Sequence, residues 1–154
     1  MKLKIGLALF ATIVMIIPAF AQEPSLIVIG GMRINPMVVY DSEGNRSEFT
    51  RIHTEIGALK NKNTFVSVGY TPFLNSVYTF NEYWFFDLNS PRPISIVSVI
   101  EYNFDNDKAF YNFGFNLKFK GGNGIILWGS RFDAFDPMLK VGAFLPMSWV
   151  LYKK

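Results

Sequence analysis

His53 is the single histidine of the sequence, and it stands two residues from Arg51 and two from Glu55. In an extended chain these three side chains share one face. Glu55 could then orient the imidazole as an acid–base pair. Ser67 or Ser95, if turned to the same interior, would supply a hydroxyl. That set would suit lipid-hydrolysing chemistry, although no His-x-Ser signature accompanies it. The competing reading is a structural network in which Arg51, His53 and Glu55 neutralise one another, and the sequence favours it, because a lone histidine carries no spacing evidence for catalysis.

Other charges follow the same alternation. Arg33, Arg51, Glu55, Glu101, Arg131 and Lys140 all fall on the polar faces of expected strands. Enclosed together, they are expected to pair, since an unpaired buried charge is expensive. A narrow ion path is the functional alternative to a packed interior. Asp105-Asn106-Asp107 lacks the following Gly and the distal Glu of a calcium loop, so it reads as a solvated turn. Gly121-Gly122-Asn123-Gly124 reads as a turn between strands, without a helix to cradle phosphate. The absence of Cys excludes thiolate metal sites and Cys nucleophiles. No metal and no cofactor is expected.

The elements that must position these groups are strands. Residues 109–119 are apolar at every odd position, with Tyr111, Phe113, Phe115 and Leu117 at its centre. The even positions include Asn112, Gly114 and Asn116. The alternation breaks at the glycines and resumes at Ile125, a strand–turn–strand pattern. The same period recurs at 25–40, 49–59, 64–72, 77–88, 94–104, 125–132 and 138–152. On the seventh strand Ile126, Trp128 and Phe132 are assigned to one face, and Gly129 and Arg131 to the polar one. Pro36 predicts a bulge or strand end and Pro146 a bend. No stretch carries a sustained helical stripe, so no helix is expected after the leader. Eight strands with short links imply antiparallel neighbours and an up-and-down barrel closed on itself, an all-β fold. Its interior is just wide enough for side chains.

The chain opens with Lys2 and Lys4, an uncharged apolar run over 5–17, Pro18, and Ala19-Phe20-Ala21. This is the pattern of a secretory signal peptide over 1–21, leaving 22–154 as a single barrel domain. Loss of Lys2 and Lys4 takes the 15 basic residues to 13 against 12 acidic ones, a net charge of +1. Neither that balance nor any basic run suggests nucleic acid as a partner.

Alternation does not say which face points inward. The polar faces are dominated by Asn, Ser and Gly, where a water-facing sheet would carry more charge. Several strands have the length of a tilted membrane span. Tyr40, Tyr70, Tyr78, Phe80, Tyr102, Phe104 and Tyr152 crowd strand ends, where interfacial girdles belong. Tyr111, Phe113, Phe115 and Leu117 are therefore expected to face lipid, and Asn112, Gly114 and Asn116 a packed lumen. A charge at Asn116 should be milder than one at Phe115.

With its leader, eight alternating strands, short turns and lack of Cys, the chain resembles the small eight-stranded outer-membrane barrels of Gram-negative bacteria. The resemblance covers the mature chain and rests on pattern rather than on a motif. Such barrels often end on an aromatic residue; here Tyr152 precedes Lys153-Lys154. The resemblance implies an outer-membrane location, outer-membrane lipid as partner, and a structural or envelope-associated role. Two alternatives stand beside it: a soluble exported barrel binding an apolar ligand, and a lipid-modifying barrel enzyme using His53 and Glu55.

Overall fold

A computed structural model describes residues 26–61, 63–85, 94–119, 123–132 and 136–154; at 130–132 and 136 the backbone alone is described. The expected leader over 1–21 lies outside the described residues, as does the centre of the Gly121–Gly124 turn.

Eight strands form one closed antiparallel barrel in sequence order. They are β1 (Ile27–Tyr40), β2 (Arg46–Lys60), β3 (Thr64–Thr71), β4 (Ser76–Trp84), β5 (Ile94–Asn103), β6 (Lys108–Lys118), β7 (Gly124–Phe132) and β8 (Asp136–Lys153). β1 closes the barrel by pairing with β8, which leaves no strand without two neighbours. Both ends of the described chain, Leu26 and Lys154, meet at one rim, where the Lys154 amide donates to the Leu26 carbonyl. That rim is here the terminal end. The opposite end carries the β1–β2, β3–β4, β5–β6 and β7–β8 turns.

The strands form because β-branched and aromatic residues alternate with small polar ones. The turns show their own chemistry. Between β1 and β2, the Asp41 carboxylate accepts from the Glu43 amide at 2.9 Å and the Asn45 amide at 2.8 Å. Gly44 adopts φ 83° there, a left-handed conformation. The Asn45 side-chain amide bonds the same carboxylate and, with the backbone donors, holds its pKa below the ordinary aspartate value. The β3–β4 link contains a 3-10 turn, Pro72–Leu74, where only an irregular turn was expected.

The bulge or strand end expected at Pro36 is absent. β1 runs through Pro36, which pairs with Thr50, and β8 runs through Pro146, which pairs with Arg33. The register shift falls instead between Val28 and Ile29, opposite Tyr152 and Val150, so Leu151 is the extra residue. β7 begins at Gly124 opposite Phe144, so among the described residues β8 beyond Phe144 pairs with β1 alone.

Inside and outside are sharply divided. Phe113 and Phe115 are 57% and 48% exposed, whereas Phe80 and Ile126 are 1% and 0% exposed. Among the side chains described, outward positions carry no Asp, Glu, Lys or Arg through the middle of the wall. Val28 to Val38 on β1, Thr50 to Ala58 on β2, Ala109 to Leu117 on β6 and Leu139 to Trp149 on β8 illustrate it, taking alternate residues.

Three sequence expectations need correction here. Tyr78 and Phe80 are interior residues, not members of a girdle. Tyr102 is covered locally, its ring edge-on to Phe104 at 5.3 Å and its hydroxyl bonded to Asp107. On β7 the faces are reversed: Ile126 and Trp128 point in, while Ile125 and Leu127 are exposed. Both faces of that strand are apolar, so alternation could not tell them apart. Position 131 shares parity with the exposed residues; the Arg131 side chain itself lies outside the described residues.

Candidate functional site

The interior holds the polar groups, and they are arranged in three clusters along the barrel. The first is built on Glu82, an inward residue of β4 that the crowded aromatics of 77–88 obscure in sequence. Its carboxylate accepts from Ser95 Oγ at 2.5 Å, Asn116 Nδ2 at 2.9 Å and Lys118 Nζ at 3.0 Å. Asn116 in turn accepts from the Trp128 indole N–H at 2.9 Å. The Lys118 ammonium sits 3.9 Å from the centre of the Trp84 ring, close enough for a cation–π contribution. An apolar cluster that includes Leu59, Phe65, Phe80, Val97, Ile126 and Phe144 fills the same half of the barrel.

The second cluster is built on Glu55 of β2. Arg33 NH2 donates to it at 2.6 Å, Ser67 Oγ at 2.9 Å and the Tyr78 hydroxyl at 3.3 Å. Three charge-assisted bonds to one carboxylate satisfy it well. Gly69 makes the Tyr78 contact possible. It lies directly across from Tyr78, and a Cβ at 69 would collide with the Tyr78 ring and hydroxyl. The Arg33 guanidinium also lies over the Phe80 ring, 4.3 Å from its centre.

The third cluster occupies the end opposite the termini. Arg51 pairs with Glu101, and both are buried. Lys140 Nζ donates to Asn112 Oδ1 at 2.7 Å. His53 Nδ1 lies 2.9 Å from Thr71 Oγ1, and its ring meets Tyr78 edge-on at 5.0 Å. Nearer the rim, Asn103 bonds Ser76 Oγ and the Leu74 carbonyl.

The structure thus brings Arg33 to Glu55 and Arg51 to Glu101, and places His53 and Lys140 inside with them. It does not assemble the triad that the spacing around His53 suggests. Glu55 is occupied by Arg33, Ser67 and Tyr78, while His53 bonds Thr71 and Ser95 bonds Glu82. Tyr111, Phe113 and Phe115 are exposed on the outer wall, with Leu117 partly covered beside them. Sequence reasoning missed Glu82, Lys118 and the inward aromatics Trp84 and Trp128. The register would have flagged Glu82, since it shares parity with Tyr78 and Phe80. Among the described residues no group of three or more His, Asp or Glu side chains is placed to hold a metal.

Comparison with known proteins adds little. No family model matches the chain, and no curated protein matches it. Among solved structures, a chain described as "De novo design of transmembrane beta-barrels" is similar at 13% identity, with a TM-score of 0.46, covering 77% of this chain and 96% of that one.

Proposed function

We propose that the protein is an integral outer-membrane β-barrel with a structural or envelope-associated role and a packed polar lumen. The observation that carries this reading is the uncharged, aromatic-rich outer wall enclosing Arg33, Arg51, Glu55, Glu82, Glu101, Lys118 and Lys140. In water that arrangement is inverted. A soluble barrel would turn Phe113, Phe115 and Leu127 inward and leave its ions outside. In lipid it is the stable arrangement: the apolar wall meets acyl chains, and closure satisfies the backbone. The strands, from 8 to 18 residues, reach or approach the length of a tilted span. Export by the expected leader over 1–21 belongs to the same proposal.

The outward apolar wall also argues against the soluble ligand-binding alternative, which needs an apolar interior to receive its ligand. Phe80, Val97 and Ile126 already fill the apolar half.

The test is fractionation of the native host envelope, followed by high-salt and carbonate washing. The protein should stay with the outer membrane and migrate faster on gels when unheated than when boiled. Release into the wash, with no heat-dependent mobility, would remove the proposal.

A further inference from the structure

The end of the barrel opposite the termini is not filled. A cavity of ≈ 420 Å³ opens there, with Arg51, Glu101 and Lys140 among its lining residues and Phe49, Phe73 and Met138 among the apolar ones. Its size is within the range of small-molecule sites. Arg51 and Lys140 are only 5% and 4% exposed, yet among the described residues only Arg51 is paired with a carboxylate, Glu101. Lys140 has a neutral amide as its hydrogen-bond acceptor and, among the described residues, no ion pair. Beside this floor two donors have no partner, Arg51 Nε and Asn112 Nδ2 on the amide that receives Lys140, and one acceptor has none, Asn35 Oδ1 across from Arg51.

We propose that this cavity binds a small amphipathic monoanion, an organic carboxylate carrying an aryl or short alkyl group. Among the described residues the floor has one positive charge in excess, and two of its donors lack acceptors. Water can supply an acceptor but not the missing charge. A carboxylate supplies both, and two cationic side chains near one pocket suit it. The apolar half of the ligand would lie against Phe49, Met138 and the ring of Phe73, which is 78% exposed and stands at the rim. In the opposite half Arg33 and Lys118 each have a carboxylate of their own, Glu55 and Glu82, although Arg33 Nε and Trp84 Nε1 lack partners. The inference concerns the lumen and stands whether or not the outer wall meets an outer membrane.

The experiment is calorimetric titration of the folded full-length mature barrel in non-ionic detergent with 4-phenylbutyrate, and with its neutral amide. Saturable one-to-one binding of the acid is expected, with the amide weaker by about tenfold or more, as loss of a buried charge contact implies. Lys140→Gln should weaken acid binding by a similar factor. Phe73→Ser, at an exposed rim position that the fold does not need, should weaken acid and amide alike. Should Lys140→Gln fail to fold, the acid–amide comparison and Phe73→Ser decide alone. The proposal is overturned if the acid shows no saturable binding at millimolar concentration. It is equally overturned if acid and amide bind alike, or if neither variant changes binding, which would mark partition into detergent.

Discussion

The two halves of the lumen use the same residue types to opposite effect. Near the termini, Glu82 receives three donors, Lys118 is stacked on Trp84, and Phe65, Phe80, Ile126 and Phe144 close the space around them. At the other end, Arg51, Glu101 and Lys140 are equally buried, but they border a cavity and leave donors unmet. The difference is one of aromatic filling, not of charge. β4 sends Tyr78, Phe80 and Trp84 inward, with Glu82 between the last two, and Phe80 and Trp84 fill the terminal half. Among the described residues no comparable run of inward aromatics serves the opposite end, where Thr71, Ser76 and Asn103 take those places. Trp84 Nε1 is left without a partner in the ring-filled half as well, so the halves differ in enclosure: a network packed between rings is held in place, and one beside open space can exchange partners.

Breaking the sealed half should have the largest effect. Glu82→Gln leaves the Lys118 ammonium without its carboxylate in an aromatic enclosure. A cost of about 3–5 kcal/mol is expected for breaking such a buried pair, read as a lowered urea midpoint of the barrel refolded in lipid vesicles. Asn116→Asp belongs with it. Asn116 donates to Glu82 and accepts from Trp128, so a second carboxylate there removes a bond and adds repulsion. An acidic residue at Asn116 is therefore expected to cost more than the sequence alone suggests for a charge there.

The outer wall gives the next effect. Phe115→Lys puts a charge into the uncharged outer wall, at a cost of about 2–4 kcal/mol if the site lies near the bilayer midplane. The same vesicle-refolding assay checks it. An unchanged midpoint would argue that this wall does not meet lipid.

Glu101→Gln should cost less than Glu82→Gln, about 1–3 kcal/mol, because Glu101 bonds Arg51 beside a cavity with room for water, whereas Glu82 holds three donors. Equal losses in the two variants would erase the distinction between the halves. The smallest effect belongs to Asp41→Ala, in the exposed β1–β2 turn. Asp41 has a depressed folded-state pKa, so its contribution is present above the ordinary aspartate value of 3.8 and is lost as pH falls through the lower folded value. The wild type and the variant should therefore differ slightly in melting temperature near neutrality and converge on acidification.

Much of the architecture was legible in the residues themselves. The clean alternation of 109–119 identified β6 and its two faces. The turn residues at 41–46, 60–63 and 105–107 separated strands that the structure places as neighbours. Arg33, Arg51, His53, Glu55, Glu101 and Lys140 lie on the faces that alternation assigned them. β4 and β7 were harder, because aromatic and aliphatic residues occupy both of their faces and hydrophobicity then carries no sign.

The sequence by itself determined the strand count and, for most strands, which residues share a face. Both follow from local rules, the period of two and the turn chemistry. Tertiary structure decided who meets whom. Arg51 and Glu101 are 50 residues apart, and Glu82 and Lys118 are 36 apart. Those pairs depend on the stagger of eight strands around a closed wall, to which no single strand holds the key. That stagger gives Glu55 to Arg33 rather than to His53, and it fills one half of the lumen with rings while leaving the other open.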